Sequence, residues 1–138
     1  MHAMRMKNRL SIGGIAAATG ASIETIRQYE RIGLLPLPAR TEGGQRRYTP
    51  THVRRLAFIR NARELGFTLD TIENLLDLAN TRDRLSEEDV GTATEHLADV
   101  RVRRKRLHAL EKALTHLIST GRRAKDCGII DALGHPSP

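Results

Sequence analysis

The feature that most restricts the fold is a long segment in the C-terminal half, from Glu87 to Ser119, which contains no proline. Apolar residues recur there at every seventh position, namely at Ala93, Val100, Leu107 and Leu114. A second seam position is occupied by Leu110 and Leu117, with Arg103 as the exception. This repeat predicts one helix of roughly thirty residues, ~45 Å long at about 1.5 Å per residue, that packs lengthwise against another helix.

The rest of the chain offers no second helix of that length. We therefore predict that the long helix pairs with the same helix of a second copy, and that the protein is a homodimer. The heptads leave open whether the two helices run parallel or antiparallel. The alternative is an intrachain arrangement, in which the long helix packs on the N-terminal domain.

The N-terminal part predicts two short helices separated by a turn that contains glycine. Ile12 and Ile15 share one helical face after Ser11, a suitable N-cap, and Gly20 ends this helix. Ser22 is a suitable N-cap for the second helix, which carries apolar residues at helical spacing. The pattern is typical of a helix-turn-helix, whose second helix enters the major groove of DNA.

The next segment predicts a short β-hairpin. Residues 33–38 contain glycine and proline and cannot remain helical, and Arg40 to Tyr48 is predicted as two strands around Gly43 and Gly44, which supply positive-φ turn positions. A basic ribbon beside a helix-turn-helix is a wing. Its guanidinium groups can reach phosphates or the minor groove, and the Tyr48 hydroxyl can hydrogen-bond a phosphate.

Two further helices follow the hairpin. Thr49 or Thr51 begins a third helix, which Gly66 ends, and Thr68 caps a fourth. The residues predicted to be buried are Val53, Leu56, Ile59 and Leu65 in the third helix and Leu69, Ile72, Leu75 and Leu76 in the fourth. We therefore predict a mainly α protein with a winged helix-turn-helix DNA-binding domain over residues 1–80, a loop and dimerisation helix over 81–120, and a C-terminal effector-type loop, short helix and tail over 121–138.

The charge is unevenly distributed along the chain. The net charge is +7, but residues 1–63 carry +9 and residues 64–138 carry −2. A basic excess confined to the half with the helix-turn-helix pattern is typical of a nucleic-acid-binding module, with a merely solubilising surface as the alternative. Because the chain has one cysteine and no apolar run of signal-peptide or membrane length, we expect a cytoplasmic protein without membrane contact.

Four short motifs, in this order and spacing, resemble the mercuric-resistance regulator (MerR) family. They are Ile12-Gly13-Gly14-Ile15-Ala16, Thr25-Ile26-Arg27-Gln28-Tyr29-Glu30, Gly33-Leu34-Leu35 and Arg46-Arg47-Tyr48. The resemblance covers nearly the whole chain and implies an antiparallel coiled coil in the dimer. It also implies that the dimer, on binding an effector, bends and untwists double-stranded promoter DNA so that the promoter elements align for RNA polymerase.

The resemblance also implies DNA contacts. The matching residues are Arg27 and Tyr29 in the second helix and Arg40, Arg46, Arg47 and Tyr48 in the wing. The alternatives are a core position for Tyr29 and a solvated charge for Arg27. For Arg54 and Arg55, DNA contact and a solvated helix surface are equally open.

The effector site matches the family less completely. Metal-sensing members carry two cysteines in a loop after the long helix, and Cys127 matches the second, whereas no cysteine stands near Ser119, where the first is expected. Ser86 matches the position at which copper-type sensors have serine. One hypothesis is therefore a metal ion at Cys127. A site of Cys127 with His116 or His135, completed by Asp126 or Asp131, is conceivable for zinc or a similar ion, and the alternative is a solvated histidine.

Two other sensing hypotheses remain. The basic residues around Cys127 can lower the pKa of its thiol, which predicts a switch that responds to oxidants or electrophiles. An organic effector is disfavoured, because drug-sensing members of the family have larger C-terminal domains. For the protein as a whole, the alternative to a regulator is a helical adaptor that does not bind DNA. We do not expect an enzyme, because no set of catalytic residues occurs at a useful spacing.

Overall fold

The computed structural model describes residues 10–120 and 128–134, and the chain divides after Asn80 into two compact units. The first unit contains helices α1 (Ile12–Thr19), α2 (Ile23–Arg31), α3 (Pro50–Glu64) and α4 (Leu69–Ala79), and strands β1 (Ala39–Arg40) and β2 (Arg46–Arg47). The second contains α5 (Glu87–Thr120) and α6 (Ile129–Leu133). The predicted mainly helical fold, with a long helix after a helix-turn-helix and hairpin, is confirmed. Cys127 and His135 lie outside the described residues.

Local hydrogen bonds explain where the short helices begin and end. The side-chain oxygens of Ser11, Ser22 and Thr68 each accept a hydrogen bond from the backbone N–H three residues later, at 3.1, 3.1 and 3.2 Å. These bonds satisfy donors that the first turn of a helix leaves free. Gly20 ends α1 in the left-handed region, with φ 76°. Of the two threonines considered for α3, Thr49 is the N-cap, and Pro50 follows as the first helical residue.

The wing is a two-stranded antiparallel hairpin, in which Ala39 pairs with Arg47 and Arg40 with Arg46. The prediction that both turn glycines have positive φ is wrong for Gly43, since only Gly44, with φ 78°, does. The Gly44 N–H donates to the Thr41 carbonyl at 2.9 Å, and this turn requires one left-handed position rather than two.

Two apolar clusters hold the first unit together. One contains Ile15, Ala21, Ile26, Leu35, Tyr48 and Leu56, and the other contains Leu34, Ile59, Ala62, Phe67, Ile72 and Leu76. The predicted burial of Leu65 is wrong, because this residue follows the last turn of α3 and is 61% exposed, while Phe67 fills the buried position. Leu69, Leu75 and Val53 are only partly buried.

The second unit is dominated by α5, whose 34 residues span about 51 Å at about 1.5 Å per residue. Ser86 and Asp89 cap its start, because each side chain accepts a hydrogen bond from the other residue's backbone N–H. The heptad residues Val100, Leu107 and Leu114 are 45%, 60% and 41% exposed. The apolar seam is therefore largely uncovered within the described part of a single chain. Over residues 10–120 and 128–134, no helix is both long and apolar enough to cross a membrane.

Candidate DNA interface

The recognition helix α2 has one buried and one outward face. Ile26 and Glu30 are buried, whereas Arg27, Gln28 and Arg31 are exposed. Because residues three and four apart share a helical face, the exposed residues form one continuous stripe. The Gln28 amide in this stripe has the donor and acceptor that read adenine in a major groove, and the sequence prediction did not single it out. In the sequence, its position between Arg27 and Arg31 of the second helix could have indicated that Gln28 faces DNA.

A groove between α2 and the base of the wing brings three arginines together. Its lining consists of Arg27, Glu30, Arg31, Leu37 and Arg46. Arg27 and Arg46 were predicted from the sequence, whereas Arg31 was not. With three guanidinium groups and one carboxylate, the groove has a net positive charge suited to a phosphate backbone.

The arginines of the wing make different contacts, and the consecutive residues Arg46 and Arg47 of β2 point to opposite faces of the strand. Arg46 points to α2, where its Nη1 donates to Glu30 Oε1 at 2.6 Å. Arg47 instead donates from Nη2 to the Gln45 side chain at 3.4 Å. Arg40 is exposed and donates from Nη1 to the Gly44 carbonyl at 3.3 Å. Arg40 and Arg47 thus remain available to an external anion, and Arg46 is already paired.

Tyr48 does not occupy the position that the sequence suggested. Its side chain is fully buried, and its hydroxyl donates to Glu30 Oε2 at 3.0 Å. Burial raises the pKa of this hydroxyl, an effect that the hydrogen bond from Arg46 opposes. The predicted hydrogen bond from Tyr48 to a phosphate is therefore wrong for this conformation, because the register of the wing turns the ring into the core. Tyr48 instead anchors the wing to α2.

Glu30 is the centre of this buried network, and the sequence prediction missed it. The carboxylate lies between Arg46 and Tyr48, and Arg46 Nη1 also donates to the Tyr48 hydroxyl at 3.4 Å. The hydrogen bond to Tyr48, followed by the charge of Glu30, raises the pKa of Arg46. Glu30 follows the buried Ile26 by one helical turn, and that spacing was the signal that its side chain faces inward.

His52 completes the network on the α3 side. Its ring lies edge-on to Tyr48, with 5.5 Å between the ring centroids, and its Nδ1 accepts a hydrogen bond from the Thr49 backbone N–H at 3.2 Å. Burial lowers the pKa of His52, and the Pro36 backbone and the Glu30 carboxylate partly oppose that effect. His52 is therefore neutral at physiological pH, and it supports the buried face of the wing.

The remaining predicted positions differ in exposure. Tyr29 is partly buried and packs against both apolar clusters, which fits the core alternative, although one edge lines a cleft beside Ser22 and Thr25. Arg55 donates from Nε to the Leu34 carbonyl at 2.8 Å, so it ties α3 to the segment that leads into the wing. Arg54 is exposed.

The effector-side residues form no closed ligand set within the part of the chain that the structure describes. No group of three or more His, Cys, Asp or Glu side chains there is placed to hold a metal ion. His116 is exposed on α5, and Ser86 is the helix cap. Cys127, the one thiol of the sequence, is not among the described residues.

The chain matches known families and proteins over most of its length. Residues 10–79 match the family described as "MerR HTH family regulatory protein", and residues 53–117 match "MerR, DNA binding". An "HTH-type transcriptional regulator ZntR homolog" of Haemophilus influenzae is 40% identical over 108 residues, 78% of this chain and 80% of the relative. The "Heavy metal-dependent transcription regulator 2" of Rhizobium meliloti is 35% identical over 130 residues, 93% of this chain and 88% of the relative.

Two solved structures share the fold. The regulator PbrR691 from Ralstonia metallidurans CH34, in complex with lead(II), is 38% identical, with a TM-score of 0.55 over 90% of this chain and 98% of that one. HiNmlR, a MerR family regulator lacking the sensor domain and bound to promoter DNA, has a TM-score of 0.64 at 24% identity, over 91% of this chain and 99% of that one. The family matches and the two sequence relatives show that the chain belongs to the MerR family of helix-turn-helix regulatory proteins and is a DNA-binding transcription regulator.

Proposed function

We propose that this regulator binds a palindromic promoter operator as a homodimer, and that each protomer places α2 in a major groove and its wing against the adjoining backbone. The observation that carries the proposal is the groove lined by Arg27, Arg31 and Arg46 between the recognition helix and the wing. A duplex fits such a surface because phosphates and base edges lie side by side along a groove.

Individual residues take different roles in this complex. Arg27, Arg40 and Arg47 contact phosphates, because their side chains form no ion pair among the described residues and none is in the core. Gln28 reads a base, since its amide lies on the same exposed stripe of α2 as Arg27. Arg46 acts from a fixed position at the base of the wing, where Glu30 holds it.

The dimer forms through α5. Its apolar seam includes Leu107, which is 60% exposed in one chain, and an unpaired stripe of this length is costly in water. Pairing with α5 of a second protomer removes the stripe from water and places two recognition helices on one duplex. We infer an antiparallel pairing from the likeness to the family.

The switch acts through DNA shape. Strong bending of an operator costs roughly 1–6 kcal/mol, and an effector can supply this only through a higher affinity for the distorting conformation of the dimer. RNA polymerase is the partner that then uses the realigned promoter.

The effector is a metal ion that uses Cys127 as a ligand. Two relatives support this class, since one is named as heavy-metal-dependent and another was solved with lead(II). The chain has one cysteine, so a site with two thiolates from one chain does not fit. A mixed set with Cys127 and a nitrogen or oxygen ligand suits a divalent ion better.

A thiol switch is the second candidate. It is favoured by the single cysteine beside Arg122, Arg123 and Lys125 in the sequence, because neighbouring cations stabilise a thiolate. In this case Cys127 reacts with an oxidant or electrophile, and no metal alters the DNA complex.

One titration tests these proposals. A labelled duplex of the divergent promoter beside the gene is titrated with wild-type protein, Cys127→Ser and the double variant Arg27→Ala/Arg47→Ala, with zinc, cadmium, lead, mercury, copper, silver or hydrogen peroxide. The double variant should bind the duplex far more weakly than wild type. If the protein is an adaptor that does not bind DNA, wild type itself will not bind the duplex. A metal response that Cys127→Ser abolishes supports the metal site, and a response to peroxide alone supports the thiol switch.

A further inference from the structure

Glu30 occupies a position in α2 where burial would favour an apolar side chain. Only 8% of the residue is exposed, and its carboxylate accepts hydrogen bonds from Arg46 at 2.6 Å and Tyr48 at 3.0 Å. A buried carboxylate is costly unless it is both paired and hydrogen-bonded. Glu30 therefore holds Arg46 and Tyr48 in one arrangement, and with them the second strand of the wing.

The ion pair changes what Arg46 contributes to DNA binding. Proteins attract DNA of any sequence by placing cations on phosphates and releasing condensed counterions. Arg46 lies beside a carboxylate, so the pair is close to neutral as a unit. Its neighbour Arg47 is also partly buried, but it forms no ion pair among the described residues. Its Nη2 donates to the neutral side chain of Gln45, so no carboxylate offsets its charge. Adjacent arginines of one strand thus differ in electrostatic role.

We propose that Glu30 is a specificity-determining positioning residue, which fixes Arg46 and the wing relative to the recognition helix and withholds the charge of Arg46 from non-specific attraction to DNA. The inference rests on the proposed function. Specificity depends on contacts at fixed positions, whereas non-specific affinity depends on the number of unpaired cations. Glu30 therefore increases specificity for the operator and reduces non-specific affinity for DNA.

The Glu30→Gln variant separates these two effects. The amide keeps the size of the side chain and can still accept a hydrogen bond from Arg46, but it no longer neutralises the guanidinium. One released arginine per protomer should steepen the dependence of log K on log salt by up to about 1.8 per dimer, twice the ~0.9 expected per phosphate. At about 0.15 M salt, that slope corresponds to an increase of up to about thirtyfold in affinity for random-sequence DNA.

The experiment measures salt-dependent binding of the full chain to two duplexes. One is an operator selected from a random-sequence library, and the other is a random duplex of equal length. Glu30→Gln should bind the random duplex more tightly, and its preference for the operator should fall at least about tenfold, the loss expected for one specific contact. Glu24→Gln is the matched control, since it removes an exposed carboxylate from the same helix and should leave the preference unchanged.

The outcomes distinguish the inference from the proposed function. If wild-type protein prefers the operator and Glu30→Gln keeps that preference, the inference is wrong and the proposed function stands. If wild-type protein binds both duplexes equally, the proposed function fails and the inference fails with it.

A second pair of variants covers the case in which Glu30→Gln does not fold. Arg46→Gln should lower the preference for the operator with little change in the salt slope, whereas Arg47→Gln should reduce the slope by about 1.8 per dimer. An equal loss of slope in both variants would overturn the inference, because it would mean that Arg46 leaves Glu30 and binds a phosphate.

Discussion

Tyr48→Phe tests whether this residue anchors the wing from the core or contacts DNA. The substitution keeps the buried ring and removes the hydroxyl that donates to Glu30 at 3.0 Å. Hydrogen bonds to charged groups contribute about 1.5–3 kcal/mol, and Glu30 keeps Arg46 as a second partner. We therefore expect Tyr48→Phe to lower the free energy of unfolding by about 1.5 kcal/mol, the lower end of that range. For a domain of this size, each kcal/mol of lost stability lowers Tm by roughly 4–8 °C.

The assay is urea unfolding followed by circular dichroism at one fixed protein concentration, because the stability of a dimer depends on concentration. Tyr29→Phe is the control, since no hydrogen bond of the Tyr29 hydroxyl is found among the described residues. This control should change stability by less than about 0.5 kcal/mol. A Tyr48→Phe protein as stable as wild type but with about tenfold weaker operator binding would refute the buried-anchor account, since it is the result expected of a direct phosphate contact.

The remaining predictions concern the cap, the dimer and the pH dependence. Ser22→Ala should lower the free energy of unfolding by about 1 kcal/mol, because it leaves a first-turn N–H of α2 without its acceptor. Chemical denaturation measures this loss, with Ser119→Ala in the last turn of α5 as the comparison. Leu107→Glu should convert the dimer into a monomer in sedimentation at micromolar concentration and abolish operator binding, whereas Arg104→Glu should remain dimeric if the seam lies where the heptads place it. Because burial lowers the folded-state pKa of His52 from 6.5, the unfolded chain binds the proton first, so the His52 contribution to stability is complete above pH 6.5 and declines as pH falls below it. A His52→Gln variant whose stability falls with pH as steeply as that of wild type would contradict this assignment.

Features that depend on near neighbours in the chain were predictable from the sequence. The caps at Ser11, Ser22 and Thr68 follow from side chains that bond backbone groups three residues away. The long helix α5 follows from a repeat that no proline interrupts. The positions of Arg27 and Arg40 at the surface follow from their place in the helix and the hairpin.

Features that depend on distant partners were not predictable in the same way. Tyr48 and Glu30 are eighteen positions apart, and whether the tyrosine faces solvent or core depends on the register of the wing. That register is fixed in part by Leu10, which pairs with Tyr48 through two backbone hydrogen bonds at 2.8 and 2.7 Å. No local pattern contains this information, so residue type alone suggested a phosphate contact.

The most direct test of the account is the selection of binding sites from random-sequence DNA, followed by titration of the enriched duplex against a scrambled one. We predict a palindromic sequence whose half-sites match the two recognition helices of a dimer, bound at least about a thousandfold more tightly than the scrambled duplex at physiological salt. Recovery of no enriched sequence, or equal binding of the enriched and scrambled duplexes, would contradict the claim that α2 and the wing form a sequence-specific DNA interface.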